Sequence, residues 1–229
     1  YRTGEMQIVS GPMGKEKVHF LAPSPKLVKN NMDQLLDWVN QESKIDPVLK
    51  AAIAHFWFII IHPFDDGNGR LTRALTDLAL AQADQQSIRL YAMSATILEK
   101  RSEYYHILEQ SQRGSMDITA WLLWFLQALA DSLQKTLSSI QRTLFKKNFW
   151  QIHYESGLLP EQIKVLNRLL DGGEKGFELG ISAAQYQKVA KVSKATATRH
   201  LSDLVLKGCL TKLEGGGRST RYQINAYQA

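Results

Sequence analysis

The sequence predicts a mainly α-helical protein with a short β-hairpin at its start and a small basic domain at its end. Three observations lead to this fold class. Over most of the 229 residues the apolar positions follow the helical period. Residues 3–21 instead alternate apolar and polar side chains, and residues 210–213 and 220–224 are expected to pair as strands across Gly215-Gly216-Gly217. The excess positive charge lies in the last quarter of the chain.

The first 150 residues are expected to form the hairpin and then a series of helices. The hairpin turns at Gly11-Pro12-Met13-Gly14. Asp46-Pro47 is a typical helix start, and Pro63 ends the helix that begins there. Helices are predicted over 25–41, 46–61, 67–84, 94–112 and 117–150.

The composition excludes several classes of protein. A hydrophobic content of 44% and a charged content of 22% exclude a disordered or fibrous chain. One cysteine, Cys209, excludes a disulfide scaffold and a Cys-rich zinc module. The longest apolar stretch is too short to span a bilayer, and we expect a cytoplasmic protein. Because the chain opens with Tyr1, we also expect an N-terminal piece of the full protein to be missing.

The segment with the clearest chemistry runs from His62 to Arg73 and reads HPFDDGNGRLTR. It is a loop between two buried helices that ends at a helix N-terminus. Gly67 and Gly69 let the backbone approach a ligand, and the free amides of the helix start attract an anion. Arg70 and Arg73 add two positive charges on one helix face. The expected anion is phosphate.

Two further side chains of this segment suggest a reaction. Asp66 lies beside the expected phosphate site, where a carboxylate can hold Mg²⁺ together with phosphate oxygens. His62 titrates near neutral pH, so that it can take a proton from an attacking hydroxyl. The positive helix end favours its neutral form. Phe64 is expected to point inward and fix the loop.

This segment resembles the Fic family, whose pattern is His-x-Phe-x-Asp/Glu-Gly-Asn-Gly-Arg-x-x-Arg. Every specified position is matched, and the resemblance extends over roughly residues 1–150. It implies a mainly helical Fic-type core that transfers AMP from ATP to a Thr, Tyr or Ser hydroxyl of a protein and releases pyrophosphate. The matching residues are His62, Phe64, Asp66, Gly67, Asn68, Gly69, Arg70 and Arg73.

The resemblance also implies a role for each motif residue. His62 is the general base, and Asp66 holds Mg²⁺ between the α- and β-phosphates. The Gly67–Asn68–Gly69 segment cradles the phosphates, while Arg70 and Arg73 bind their outer part. Relatives that transfer phosphate carry lysine in place of the second glycine, so that Gly69 favours nucleotidyl transfer.

Two weaker correspondences concern adenine and the protein target. Family members place adenine near a Tyr-Tyr pair with an Asn eight residues on; Tyr104-Tyr105 fits, with Gln112 at the Asn position. Plain core packing is the alternative role for Tyr104. The hairpin corresponds to a flap that docks the target backbone by strand addition, with Ile8, Val9, Ser10 and Gly11 as its edge. The alternative is a purely structural hairpin.

Many relatives carry a self-inhibitory helix with the pattern Ser/Thr-x-x-x-Glu-Gly/Asn, whose Glu pairs with the second motif arginine, here Arg73. The 229 residues contain no such match. If the protein is regulated in this way, the helix is expected in the missing N-terminal part.

The C-terminal residues 181–229 are predicted to form a winged helix-turn-helix. From Ser182 to Ala229 eight basic residues face two acidic ones, a net charge of +6 that equals that of the whole chain. The second helix, 194–207, has an inward stripe (Ala197, Leu201, Leu204, Val205) and an outward stripe (Thr196, Arg199, His200, Asp203). DNA binding would use Thr196, Arg199, His200, Arg218 and Arg221.

Asp203 on the outward stripe counts against DNA, and such a domain can instead mediate dimerisation or protein docking. A solvated basic face without a partner is a further alternative.

The predicted organisation is a catalytic core over 1–150, a connecting helix and loop over 151–180, and the winged domain over 181–229. The predicted function is protein adenylylation with ATP and Mg²⁺, on a protein target that could be the chain itself; a homodimer is plausible. Two alternatives stay open. One is a Fic enzyme that mainly removes AMP or transfers another nucleotide. The other is a DNA-binding regulator whose Fic core senses a nucleotide.

Overall fold

The structure is a computed structural model of the chain. It divides into two compact units, Tyr1–Thr136 and Leu137–Ala229. The structure describes residues 1–225 except 11, 13–16, 43, 85–91, 114–115, 173–176, 178 and 216–219.

The first unit contains a two-stranded antiparallel sheet followed by helices, as the sequence predicts. The strands pair from Gln7 opposite Leu21 to Ser10 opposite Lys17, with a bulge between Ile8 and Val9. The elements are β1 (Gln7–Ser10), β2 (Lys17–Leu21), α1 (Pro25–Asn40), α2 (Pro47–Ile61), α3 (Asn68–Asp84), α4 (Met93–Glu99), α5 (Arg101–Arg113) and α6 (Thr119–Ile152), within which the boundary between the units falls.

Helix α2 lies at the centre of this unit and delivers His62 at its end. The carboxylate of Asp46 caps the helix, accepting hydrogen bonds from the amides of Val48 (2.9 Å) and Leu49 (3.2 Å). Its residues are buried on several faces because two hydrophobic clusters pack against it. The larger cluster includes Trp121 and Phe125 of α6, and the Trp121 indole donates to the carbonyl of Ala52 at 2.9 Å.

The helix predicted over 94–112 is in fact two helices, α4 and α5, which meet at Lys100. Lys100 has φ −95° and ψ 28°, outside the α-helical region, and no glycine or proline marks the break. Its ammonium group pairs with Asp131 of α6 at 2.5 Å. Since this partner is remote in the chain, the hydrophobic period could not reveal the break.

The second unit places three short helices and a β-hairpin around one core. Leu210 of β3 pairs with Ile224 of β4, and an isolated bridge joins Ile181 to Tyr222. The core contains Phe149, Leu166, Tyr186, Leu201 and Leu204, all of which are fully buried. The elements are α7 (Pro160–Asp171), α8 (Ala183–Ala190), α9 (Lys194–Leu206), β3 (Leu210–Lys212) and β4 (Tyr222–Ile224).

The compact units divide at a different place from the predicted domains. The predicted core extends to residue 150, whereas the division between the units falls between Thr136 and Leu137. Val165, Leu166 and Leu170 of α7 are buried in the second unit's core, so that α7 is a structural part of that unit as well as a connection. The order of α8, α9, β3 and β4 agrees with the predicted one, and their assignment as a winged helix-turn-helix stays a prediction.

Candidate active site

His62 terminates α2 in a left-handed backbone conformation. Its φ is 47° and its ψ is 61°, and its amide still donates to the carbonyl of Phe58 at 3.1 Å. A residue other than glycine adopts this region at a cost, which surrounding contacts must offset. Pro63 follows and prevents the helix from continuing. The side chain of His62 is thereby turned off the helix end, where it lines two cavities.

The structure favours a neutral His62 with one nitrogen free. Nδ1 lies 3.4 Å from the carbonyl oxygen of Ile59, so that Nδ1 carries the proton and donates. This tautomer leaves the lone pair on Nε2. Burial lowers the pKa of His62, the positive charge of Arg2 lowers it further, and the contact with Ile59 opposes both effects. A neutral imidazole with a free nitrogen can accept a proton at neutral pH.

The side chain of Asn68 closes the loop that follows His62. Its oxygen accepts from the amide of Phe64 at 3.0 Å, and its nitrogen donates to the carbonyl of Phe64 at 2.7 Å. Asn68 is buried, and the half-buried Phe64 ring packs against a small hydrophobic cluster that includes Val28 and Phe58, in line with the inward position expected from the sequence. The Asn68 side chain is therefore engaged with the loop, which leaves its backbone as the part that can meet a ligand.

A polar cavity of about 270 Å³ lies over the start of α3. Gly67 has a φ of +82°, which strongly favours glycine. A Cβ at Gly67 would lie 3.4 Å from the Arg70 guanidinium, and one at Gly69 would lie 3.4 Å from that of Arg73. The lining residues are His62, Asp65, Asp66, Gly67, Asn68, Gly69, Arg70 and Arg73. The cavity therefore collects every motif residue to which the sequence analysis gave a role at the phosphates.

The two arginines of this cavity differ in their surroundings. Arg70 is exposed and lies 3.3 Å from the carboxylate of Asp66. Arg73 is half-buried, and no described carboxylate lies within ion-pair distance of it. A half-buried guanidinium without a carboxylate partner suits a phosphate group.

Asp66 fits a magnesium ion as one protein ligand among several. Its side chain is 94% exposed and touches Arg70. Among the described residues there is no group of three or more His, Cys, Asp or Glu side chains that could hold a metal. Mg²⁺ is commonly bound by one or two carboxylates together with phosphate oxygens and waters, which is the kind of donor set that Asp66 beside a phosphate site can complete.

A second, more apolar cavity of about 120 Å³ adjoins the first. The two share His62, Gly69 and Arg73. Gln112 belongs to this lining, and its side-chain nitrogen is buried without a hydrogen-bond partner among the described residues. The other lining residues are Phe20, Ile59, Tyr104, Tyr105, Leu108 and Glu109. An apolar pocket with one unused donor, placed beside a candidate phosphate site, is suited to a nucleobase.

The hydroxyl of Tyr104 is engaged inside the protein. It lies 3.0 Å from Nε2 of His55, whose Nδ1 lies 2.8 Å from the hydroxyl of Thr76. The hydroxyl of Thr76 donates to the carbonyl of Thr72 at 2.8 Å, and that of Thr72 donates to the carbonyl of Asn68 at 2.7 Å. Because the proton of Thr76 is used in this way, Nδ1 of His55 donates and Nε2 accepts from Tyr104.

Burial lowers the pKa of His55 to about 3 and raises that of Tyr104, so that this buried chain of hydrogen bonds is uncharged. The hydroxyl of Tyr104 therefore belongs to the core, while its ring lines the apolar cavity. Its contact with adenine stays a prediction.

Comparisons with known proteins agree with the motif. Residues 1–80 match the family model described as the Fic/DOC family. By this match, residues 1–80 resemble a Fic domain. It is 32% identical over 152 residues to the protein adenylyltransferase fic-1 of Caenorhabditis elegans, covering 66% of this chain and 28% of that protein. It is 36% identical over 117 residues to the protein adenylyltransferase Fic of Drosophila willistoni, covering 50% and 21%.

The fold of the chain also matches a solved Fic structure. A Fic family protein from Desulfovibrio desulfuricans G20 aligns with a TM-score of 0.52 at 22% identity, covering 98% of this chain and 62% of that chain. This likeness shows the fold. The chain spans about a quarter of the length of the curated relatives that it matches.

The candidate flap is the hairpin β1–β2. The backbone of Ile8, Val9 and Ser10 lies in β1, while Gly11 lies outside the described residues. Among the described residues this sheet has two strands, which leaves one edge of β1 without a strand partner. Phe20 of β2 lines the apolar cavity. The hairpin therefore adjoins the candidate site, and its docking role stays a prediction.

The structure corrects part of the predicted DNA-binding set. His200 is 5% exposed, and its Nδ1 lies 3.0 Å from the Tyr186 hydroxyl. The prediction that it faces outward is wrong, because residue 200 lies three positions after Ala197 and four before Leu204, on the buried side of α9. The Arg221 guanidinium donates to the carbonyl of Gly180 at 2.9 Å and is half-buried, so that it holds the fold together.

The remaining members of the predicted set have different positions. Arg199 is exposed, as expected, and Arg218 lies outside the described residues. Thr196 is half-buried and hydrogen-bonds to the cap residue Ser193 at 2.9 Å. Asp203 accepts from Gln162 of α7 at 2.7 Å and pairs with Lys207 at 2.8 Å. Its carboxylate is thus neutralised within the second unit.

Two residues that contact residues of the candidate site were not predicted from the sequence. Arg2 donates to the carbonyl of His62, and His55 joins Tyr104 to α3. His55 had a visible signal, a histidine within the longest apolar stretch. Arg2 had none, since a single arginine near a chain start is usually solvated.

In the part of the chain that the structure describes, no helix is both long enough and apolar enough to cross a membrane.

Proposed function

We propose that the chain is a protein adenylyltransferase that transfers AMP from ATP to a hydroxyl side chain of a protein. The observation that carries this proposal is the position of His62, a neutral base that lines both the polar cavity and the apolar one. A nucleotide whose base occupies the apolar cavity can place its phosphates over α3. The names of the relatives, protein adenylyltransferases, point to the same reaction.

In this reaction the target hydroxyl oxygen attacks the α-phosphorus of ATP. A new O–P bond forms, the bond between the α-phosphorus and the bridging oxygen breaks, and pyrophosphate leaves with that oxygen. Nε2 of His62 accepts the hydroxyl proton. Positioning and charge neutralisation are the main requirements of such a displacement.

Each motif residue has a part in holding the substrate. The first amides of α3, from Asn68 onward, face the phosphates together with the helix dipole. Arg73 binds the outer phosphates, and Arg70, now 3.3 Å from Asp66, would join it if Asp66 held a cation. A magnesium ion held by Asp66 and the phosphate oxygens would neutralise charge that develops on the leaving pyrophosphate.

The protein target is proposed to dock on the free edge of β1. Backbone hydrogen bonds to an extended segment need no particular sequence, and they would hold a hydroxyl residue near His62. Gln112 is proposed to donate its unused N–H to the base, and the Tyr104 ring to pack against it.

The decisive test incubates the full chain with Mg²⁺ and ATP labelled at the α-phosphate. Wild-type protein should become labelled or label a protein of a cell lysate, and His62→Ala should reduce labelling by at least about 100-fold because the base is lost. His106→Ala is the matched control, since His106 is an exposed histidine of α5 and should leave labelling unchanged.

The label's position and the nucleotide's identity separate the alternatives. Labelling from γ-labelled ATP would indicate phosphoryl transfer and contradict the proposal. Preference for another nucleoside triphosphate would retain the mechanism and change the substrate. Loss of AMP from a labelled protein, faster than its addition, would indicate that removal of AMP is the main activity.

A second candidate function is DNA binding by the second unit. Two observations favour it. The face of α9 that carries Lys194, Thr198, Arg199 and Ser202 is exposed, and Asp203 is turned to Gln162 and Lys207. The acidic residue that counted against DNA is thus neutralised, and a basic exposed helix face is what a DNA backbone or groove requires.

Salt dependence tests this second candidate. The full chain should bind duplex DNA with an affinity that falls as salt rises, and Arg199→Ala should weaken binding while His62→Ala should not. Lys164→Ala removes one exposed charge from α7 of the same unit and serves as the control for net charge. If Arg199→Ala and Lys164→Ala weakened binding equally, the binding would reflect general attraction between a basic protein and DNA. Such a result would contradict a specific DNA-binding face on α9.

A further inference from the structure

Arg2 is a buried arginine whose guanidinium contacts backbone carbonyls. It is 2% exposed, and no described carboxylate lies within ion-pair distance of it. Its main-chain amide also donates, to the carbonyl of Pro63 at 2.9 Å. The side-chain acceptors are the carbonyls of His62 (2.8 Å from Nε), Gly4 (2.9 Å from Nη1), Ile61 (3.4 Å from Nη2) and Pro23 (from Nη2).

Two of these four acceptors, the carbonyls of Ile61 and His62, lie where α2 ends. The last carbonyls of a helix have no partner within it, and the C-terminal end of the helix dipole is negative. The guanidinium of Arg2 satisfies the carbonyls of Ile61 and His62 and places its positive charge at that end. It therefore supplies contacts that can offset the cost of the left-handed backbone of His62.

We propose that Arg2 is a positioning residue for His62, holding the peptide of the base so that its imidazole stays turned toward the two cavities. The proposal rests on the proposed function, in which His62 is the base. Arg2 reaches His62 through its main-chain carbonyl. The contact between Nδ1 of His62 and the carbonyl of Ile59 orients the imidazole ring, and Arg2 holds the backbone that carries the ring.

Electrostatics supports the same role. The charge of Arg2 is one of the causes that lower the pKa of His62, after burial. Other charged or titratable groups also line the cavities around His62, so that Arg2 is one contributor among several. These groups are Asp65, Asp66, Arg70 and Arg73 from the loop and α3, and Tyr104, Tyr105 and Glu109 from α5.

Two variants of the full chain separate positioning from charge. Arg2→Met removes the charge and the hydrogen bonds, and Arg2→Lys keeps a charge without the forked geometry. For Arg2→Met we expect kcat for AMP transfer to fall by about 10- to 100-fold, with KM for ATP changed less than about twofold. For Arg2→Lys we also expect kcat to fall. Lys26→Met, which removes an exposed charge from α1, should leave both parameters unchanged.

A titration of the His62 imidazole by NMR gives a readout that does not need turnover. Its pKa should rise in Arg2→Met and stay near the wild-type value in Arg2→Lys. If Arg2→Met fails to fold, Arg2→Lys decides by its kcat. A folded Arg2→Lys with wild-type kcat would overturn the proposal.

Other results would overturn the proposal as well. One is an unchanged His62 pKa in Arg2→Met. Another is a variant of Arg2 in which ATP binding and kcat both fall in proportion to the fraction of protein that is folded. That result would show that Arg2 stabilises the fold and does not position His62. If wild-type protein transfers no nucleotide at all, the proposed function fails, whereas the NMR titration still decides whether Arg2 controls the state of His62.

Discussion

At the scale of single residues, the state of His62 depends on its surroundings more than on its residue type. The ordinary pKa of its side chain is 6.5, and burial and the charge of Arg2 move it downward. A lower pKa keeps the base neutral over a wider pH range, at the cost of basicity. The pH profile of the reaction reports this balance.

We predict that the acid limb of kcat/KM for AMP transfer lies below pH 6.5. Protonation of His62 abolishes its ability to accept a proton, and the lowered pKa shifts that protonation to lower pH. The measurement is kcat/KM for ATP between pH 5 and 8, with a stability check at each pH. An acid limb centred above pH 6.5 would contradict it.

A second residue-scale prediction concerns Asn68. Asn68→Ala removes two buried hydrogen bonds that close the motif loop, which should lower the free energy of unfolding of the first unit by about 2 kcal/mol. It should also lower kcat, since Phe64 and His62 share this loop. Chemical denaturation and steady-state kinetics measure both effects. Asn30→Ala, at an exposed position of α1, is the control and should change neither.

At the scale of elements, a buried hydrogen-bond chain ties α2, α3 and α5 together behind the two cavities. It runs from Tyr104 through His55 and Thr76 to Thr72, whose hydroxyl reaches the carbonyl of Asn68. The chain thereby fixes the position of the apolar cavity's wall relative to the start of α3. Buried polar networks of this kind are stable because each donor and acceptor is used.

The third prediction follows from this chain. Tyr104→Phe removes the hydroxyl that donates a hydrogen bond to Nε2 of His55 and leaves the ring in place. The free energy of unfolding should therefore fall by about 1 kcal/mol. KM for ATP should change less than about twofold, because the hydroxyl is engaged inside the core and the ring still lines the cavity. A tenfold rise in KM would instead show that the hydroxyl binds the nucleotide.

At the scale of the whole molecule, the chain consists of two compact units with separate hydrophobic cores. Every residue proposed to bind the nucleotide belongs to the first unit, and the exposed basic face of α9 belongs to the second. A ligand stabilises the folded state that it binds by an amount that depends on its concentration relative to Kd.

The fourth prediction is that ATP with Mg²⁺ protects residues of the first unit from hydrogen exchange and leaves those of the second unit unchanged. At an ATP concentration about 100 times Kd the first unit should gain about 2.7 kcal/mol. Peptide-resolved hydrogen exchange of the full chain, with and without ATP, makes the measurement. Protection confined to residues 137–229 would contradict the location of the site.

Much of the fold and of the candidate site could be predicted from short-range patterns. The helix caps, the proline after His62 and the motif from His62 to Arg73 act within a few residues of each other, where backbone geometry fixes which side chains meet. The break at Lys100 and the buried partner of His200 could not be predicted in the same way. At Lys100 no glycine or proline marks the break, and the ion pair with Asp131 comes from another helix. At His200 the helical period already points inward, next to Ala197 and Leu204, but a polar ring on that side needs a buried partner, and only the fold shows that Tyr186 supplies it.

The type of site follows from residues that are close together in the chain: a histidine, a glycine-rich helix start and two arginines in an order that local geometry brings together. The remote side chains that support the site become known only from the fold. Arg2 contacts the carbonyl of His62 across 60 residues, and His55 meets Tyr104 across 49. The physical reason is that burial makes such groups seek hydrogen-bond partners, and chain-remote partners are set by packing, which no local pattern encodes.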